Sequence, residues 1–142
     1  MLYFDTSILV PYFVPESTSV AVQKLIDGLI GAQLLMSQWA RVEFSAAVTN
    51  AACAHALPRH AARAADARFD EIERRSFTLA VTEPSDFDLA RTFVQNPLTG
   101  LRAPDALHLA IAANRNVATI YTLDAGMLKA GKLLGLPVVR GI

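Results

Sequence analysis

The chain is poor in cysteine: a single one, Cys53, in 142 residues. An internal disulfide framework is thereby excluded, and the count agrees with a reducing compartment. The three histidines, His55, His60 and His108, lack the i, i+4 spacing of a helical zinc pair, and with one cysteine this argues against zinc. No apolar run approaches the roughly 18 residues of a membrane-spanning helix. Met1 to Phe4 carries no basic residue and meets Asp5 at once, which predicts no secretory leader and a cytoplasmic protein. Neither sign of charge is in surplus, with 13 basic and 13 acidic residues and a net charge of zero. There is no global basic field, so any nucleic-acid contact must be local. No Gly-x-Ser-x-Gly elbow is present, which argues against a serine nucleophile. Internal repeats, low-complexity tracts and linkers are also missing.

What is abundant is apolar side chain. The hydrophobic fraction is 53% and the mean hydropathy +0.33. At this length the chain is one domain, residues 1–142, with enough residues to bury a real core. A small monomer rarely exposes large apolar patches, so the surplus predicts association, as a homodimer or with a partner protein. The helical patterns at 17–30 and 38–57 are the expected contact elements.

Apolar runs occur at 2–4, 34–36, 77–82, 117–123 and 136–140, all but 34–36 with β-branched or aromatic residues, and helical patterns lie between them. This alternation predicts an α/β fold with a mostly parallel sheet. Ser17-Thr18-Ser19 opens a helix carrying Val22, Leu25, Ile26 and Leu29, closed near Gly28 or Gly31. Ser37 is the expected N-cap of a helix from Gln38 to about Leu57, stopped by Pro58. A helix over 58–75 carries the stripe Ala61, Ala65, Phe69, Ile72. Ser85 and Asp88 have the spacing of a capping box. After the loop 96–100, Pro104 suits the first turn of a last apolar helix containing Asp105 and His108.

Four acids stand against apolar segments. Asp5 follows Leu2-Tyr3-Phe4 and Asp124 follows Ala118 to Leu123, placing both near the carboxyl ends of strands, where open parallel sheets bind ligands. Glu43 lies on a helix that is apolar on nearly every face, so it is expected to be largely buried, and a buried carboxylate requires a partner. Arg41, two residues away, faces elsewhere. Asp105 sits in a first helical turn, where the dipole alone favours an acid. Capping equally accounts for Asp5 and Asp124 taken singly. Brought together, the four would need a cation or protons between them, and Mg²⁺ or Mn²⁺, hard ions preferring oxygen, fit. Thr6, Ser7 and Thr122 are placed to orient the carboxylates by hydroxyl hydrogen bonds. Asp86, Asp88, Asp66, Asp70, Glu71, Glu73, Asp27 and Glu16 read as solvated or capping, and His108 as a core or surface histidine able to approach the rim beside Asp105. A phosphate backbone needs a basic rim, for which Arg41, Arg102, Arg115, Lys129 and Lys132 are candidates. The loop 96–102 is the expected place of substrate discrimination.

Taken in order, Leu2-Tyr3-Phe4-Asp5-Thr6-Ser7, Glu43 within Trp39 to Phe44, Arg102-Ala103-Pro104-Asp105-Ala106-Leu107-His108, and Thr122-Leu123-Asp124 resemble the PIN-domain family, in particular its VapC toxins. The resemblance spans the chain. It implies a three-layer α/β/α fold and a Mg²⁺- or Mn²⁺-dependent endoribonuclease, the toxin of a toxin–antitoxin pair, cleaving RNA by metal-activated water. The implied catalytic residues are Asp5, Glu43, Asp105 and Asp124, with Asp5, Asp105 and Asp124 as metal ligands. It also implies a homodimer inhibited by a cognate antitoxin protein. Many members carry a further acid two residues after the position of Asp124, where this chain has Gly126. Two alternatives stay open. One is a catalytically weak PIN-like binding module. The other is a phosphoacceptor signalling domain, which requires paired acids after the first strand and an acceptor Asp after the third.

Overall fold

The structure is a computed structural model and describes residues 1–29 and 31–142. Five strands, β1 (Leu2–Phe4), β2 (Leu34–Ser37), β3 (Phe77–Ala80), β4 (Thr119–Tyr121) and β5 (Val138–Val139), form one sheet in the order β3-β2-β1-β4-β5. Every pairing is parallel. The helices are α1 (Thr6–Phe13), α2 (Ser19–Asp27), α3 (Gln38–Cys53), α4 (Arg59–Ser76), α5 (Pro84–Gln95), α6 (Ala103–Asn114) and α7 (Ala125–Leu133). Among the described residues no helix is long and apolar enough to cross a membrane.

The twofold alternation of each strand divides the core. Tyr3, Leu35, Ala80, Ile120 and Val138 face one layer, built on α5, α6 and α7. Phe4, Met36, Leu79 and Tyr121 face the other, built on α1 to α4, where Phe13, Phe44 and Phe69 pack ring against ring. Burial of both faces is what a parallel sheet requires. From β1 the chain winds outward through β2 to β3, then returns to lay β4 on the other side of β1. The reversal makes the carboxyl ends of β1 and β4 the lips of a crevice.

Several expected boundaries and burials shift. Helix α3 stops at Cys53 rather than Leu57, because His55 takes a left-handed conformation (φ 59°). The His55 N–H then donates to Ala52 O at 3.2 Å and the Ala56 N–H to Ala51 O at 2.9 Å, the two bonds of a Schellman turn, so the stop precedes Pro58. Only Ala40, Phe44 and Val48 of α3 are buried, and Val42 is 59% exposed, so the helix is less enclosed than its composition implies. The capping box of α5 is Glu83 with Asp86, two residues earlier than Ser85 with Asp88, since Pro84 presets the first helical φ. On α4 the buried stripe is Ala62, Ala65, Phe69, Glu73, leaving Ala61 and Ile72 half-buried. Of the acids expected to be solvated or capping, Asp86 caps α5 but is buried against Arg115 (2.8 Å), and Glu73 is neither, being buried against Arg41 (3.3 Å). Ile30, the end of the expected 17–30 segment, lies outside the described residues.

Candidate metal centre

The crevice between β1 and β4 opens into a cavity of about 360 Å³ lined by Asp5, Glu43, Asp105 and Asp124 together with Thr6, Ser7, Asn50, Arg102 and His108. Three helix amino ends meet there. Asp5 is the N-cap of α1, accepting from the Ile8 N–H at 3.3 Å, and Asp124 is the N-cap of α7, accepting from the Met127 N–H at 2.8 Å. Asp105 sits in the first turn of α6. The positive ends of these helix dipoles offset part of the repulsion among the acids. Capping and site formation therefore coexist. Asp124 caps through Oδ1, which fixes its rotamer and turns Oδ2 toward Arg102 on the cavity side.

Asp5 is 3% exposed and fully ordered by its neighbours. Ser7 Oγ donates to its Oδ1 at 2.6 Å and Thr122 Oγ1 to its Oδ2 at 2.8 Å, while Ser7 Oγ itself accepts from the Leu123 N–H at 2.7 Å. Thr6 serves a different acid, donating to Glu43 Oε2 at 2.6 Å. Burial pushes the Asp5 carboxyl above its ordinary value, and His108, Ser7, Thr122 and the Ile8 N–H do not cancel that. For Glu43, burial also pushes upward, but the hydrogen bond and charge of His108, then Thr6, outweigh it and the carboxyl ends below its ordinary value. A weaker pull comes from Trp39, whose buried indole N–H makes no hydrogen bond of normal geometry. The partner that Glu43 needed is thus supplied by His108 and Thr6.

Arg102 bridges the remaining two acids, with Nε 2.8 Å from Asp105 Oδ2 and Nη2 3.3 Å from Asp105 Oδ1 and 3.4 Å from Asp124 Oδ2. Asp105 and then Asp124 hold its guanidinium more firmly protonated. Among the described residues no three His, Cys, Asp or Glu side chains are arranged to hold an ion as they stand. The donor set is nevertheless all carboxylate, the chemistry of a hard divalent cation. Buried Asp5 and the Asp105–Asp124 pair, bridged by the single positive charge of Arg102, whose side chain is 73% exposed, fit such an ion once Arg102 withdraws. A Cβ at Gly126 would meet Asp124 Oδ1 at 3.0 Å, so position 126 faces this carboxylate and adds none of its own.

The basic candidates separate. Arg102 is at the cavity. Arg41 lines a different cleft with Gln38, Val42, Ser45, Phe69 and Asp70, and Lys129 and Lys132 are exposed on α7 without lining the cavity. Arg115 is committed away from it, to Asp86, to Ile111 O at 3.0 Å and to Val81 O. Arg140, which the sequence reading passed over, lines the adjoining cleft with Ser7, Glu16 and Asp124. Also passed over was Tyr3, whose Oη lies 2.7 Å from His108 Nδ1 and 3.1 Å from Ser37 Oγ. The signal for Tyr3 was that it shares a strand end with Asp5, and the approach of His108 to the rim was expected from its place one helical turn after Asp105. The edge position of β3 and the use of Glu83 as a helix cap count against the phosphoacceptor alternative.

A model of the PIN domain matches residues 2–133 of the chain. No curated protein is matched by the sequence itself. Among solved structures, the fold is similar to VapC20 of Mycobacterium tuberculosis, a toxin that cleaves the sarcin–ricin loop, with a TM-score of 0.74 at 14% identity over 92% of this chain and 95% of that one. FitAcB from Neisseria gonorrhoeae is similar at a TM-score of 0.68 and 17% identity, covering 99% and 98% of the two chains. VapBC2 of Rickettsia felis, bound to a DNA fragment from its promoter, gives 0.67 at 16% identity over 98% of each chain.

Proposed function

This chain belongs to the PIN domain family, and from that premise we propose that it is a divalent-metal-dependent endoribonuclease, the toxin half of a toxin–antitoxin pair. One observation carries the reading: four carboxylates from four separate elements line a single cavity at the switch point of the sheet. An arrangement so unfavourable without a cation is kept where charge on a substrate must be managed.

Asp5, Asp105 and Asp124 would hold a Mg²⁺ or Mn²⁺ ion, which would supply Lewis acidity toward the phosphodiester and toward water. Thr122 and Ser7 hold Asp5 in one orientation, so its oxygens need no reorganisation on binding. Glu43, kept ionised by His108 and Thr6, is the group able to take a proton from water. Arg102, displaced from Asp105 and Asp124, is left at the mouth of the cavity beside the incoming phosphate, with Arg140 further along the cleft. Antitoxin binding and homodimerisation belong to the same proposal. They are supported by exposed apolar side chains on several helices, Val20, Val42, Phe87 and Val94 among them.

The test is incubation of purified protein with mixed RNA and Mn²⁺, beside an EDTA control and Asp5→Asn. Cleavage that requires both the ion and Asp5 is the expected outcome. Cleavage that survives in Asp5→Asn or in EDTA contradicts the assignment.

A further inference from the structure

His108 is 2% exposed, and its position is over-determined. Nε2 lies 2.6 Å from Glu43 Oε2. A carboxylate only accepts, so this nitrogen carries a proton. Nδ1 meets the Tyr3 hydroxyl at 2.7 Å, which Ser37 Oγ holds at 3.1 Å, and the Tyr3 ring stands edge-on to the imidazole with centroids 5.9 Å apart. Flipping the ring would forfeit both contacts. Thr6 donates to the same oxygen of Glu43 at 2.6 Å, so among the described residues every hydrogen bond to this carboxylate goes to Oε2. Oε1 is left without a hydrogen bond of normal geometry on a side chain that is 24% exposed and lines the cavity. Glutamate has three rotatable bonds, and Arg102, which feels the Glu43 charge, is near enough to attract an unpinned carboxylate.

We propose that His108 is a positioning residue for phosphodiester hydrolysis: with its ring fixed by Tyr3, it pins Glu43 Oε2 so that Oε1 accepts the proton of the attacking water. This inference rests on the ribonuclease reading. In the step, the water O–H bond breaks and its proton passes to Oε1, and the freed electron pair forms the new P–O bond. The ester P–O bond breaks, and its oxygen is protonated from solvent. A histidine that merely fills the core has no reason to share an oxygen with a threonine at the cavity wall. Nor would its loss change turnover once the protein is folded.

The test uses the full chain with His108→Leu, His108→Gln and Tyr3→Phe. Measured are kcat and KM on RNA with Mn²⁺, Mn²⁺ affinity by calorimetry without RNA, and the His108 Nε2 proton by NMR in metal-free protein. Loss of a group that orients a reacting residue typically lowers activity about ten- to a hundredfold, and that fall is expected in kcat of His108→Leu. KM and Mn²⁺ affinity should stay near wild type, since His108 touches neither. His108→Gln, which can place an amide N–H where Nε2 was, should recover most of kcat, and Tyr3→Phe should fall between. The Nε2 proton should resonate downfield in wild type and move in Glu43→Ala. Should His108→Leu fail to fold, the Gln and Tyr3→Phe variants carry the same comparison. Full kcat in folded His108→Leu or Tyr3→Phe, or loss of Mn²⁺ affinity equal to the loss of kcat, overturns the inference while leaving the nuclease reading intact. Absence of Asp5-dependent cleavage in wild type overturns both.

Discussion

Replacing Asp86 by alanine removes the partner of Arg115 and one half of the cap on α5 together. Asp86 is fully buried, with Oδ1 accepting from Arg115 Nη1 and Asn114 Nδ2, each at 2.8 Å, and Oδ2 accepting from the Glu83 N–H at 2.9 Å. Arg115 is itself only 19% exposed, so it cannot recover its lost partner by turning into water. Removing one member of such a pair costs about 3–5 kcal/mol. For 142 residues the unfolding entropy is about 0.3 kcal/mol per kelvin, which converts that loss into a melting temperature lower by about 10–17 °C. The pH dependence has a defined sign. Burial pushes the Asp86 carboxyl up, but Arg115, the Glu83 N–H and Asn114 bring it below its ordinary value. Its stabilisation is therefore present above the unfolded carboxyl value and is lost as pH falls through the folded one. Circular-dichroism melting at neutral pH should show the full difference between wild type and Asp86→Ala, and the two should converge in acid. Arg115→Ala should melt lower as well, yet cleave RNA at the wild-type rate per folded molecule. A melting shift under about 3 °C, small beside the cost of breaking a buried pair, would refute the reasoning. So would an Arg115→Ala variant that folds normally but binds RNA with a shallower salt dependence, which would return Arg115 to the substrate rim.

Three further outcomes follow from the site. Because burial raises the Asp5 carboxyl, the metal-free protein should lose stability as pH rises from the unfolded carboxyl value through the folded one. In Asp5→Asn, which keeps the acceptor for Ser7 and Ile8, melting without metal should rise at neutral pH, and added Mn²⁺ should stabilise only the wild type; equal stabilisation of both would remove Asp5 from the ligand set. Asp124→Asn keeps the Met127 cap through Oδ1, so folding should change little while cleavage falls steeply. Wild-type cleavage with a lowered melting temperature would make Asp124 a structural cap alone. Arg102→Ala should bind Mn²⁺ more tightly, since a competing cation is gone, and bind RNA with a log–log salt slope shallower by about 0.7. An unchanged slope would take Arg102 off the substrate path.

The strands were legible because each is a short apolar run, β-branched or aromatic in all but β2, and the alternation of strand and helix left a parallel sheet as the ordinary solution. Asp5 and Asp124 were legible for the same reason: a carboxylate directly after a buried run falls at a strand end. Helix ends were less so. The stop of α3 depends on a left-handed His55, a conformation uncommon outside glycine, and Pro58 downstream was the stronger signal in one dimension. Burial of Glu73 and Asp86 escaped because each pairs with an arginine distant in sequence, Arg41 at 3.3 Å and Arg115 at 2.8 Å, and periodicity carries no pairing information across elements. For the same reason Arg41 and Arg115 resembled rim residues. His108 was ambiguous because its neighbours Tyr3, Thr6 and Glu43 come from three other elements.

The most direct test of a hydrolytic carboxylate site is to cleave RNA in ¹⁸O-enriched water with Mn²⁺ and analyse the new ends by mass spectrometry. If water is the nucleophile, with Glu43 taking its proton, each cleavage places one ¹⁸O on a terminal phosphate, and no cyclic phosphate accumulates. Ends that carry 2′,3′-cyclic phosphate without ¹⁸O would mean that the neighbouring ribose hydroxyl attacks instead, and would contradict the roles assigned to Asp5, Glu43, Asp105 and Asp124.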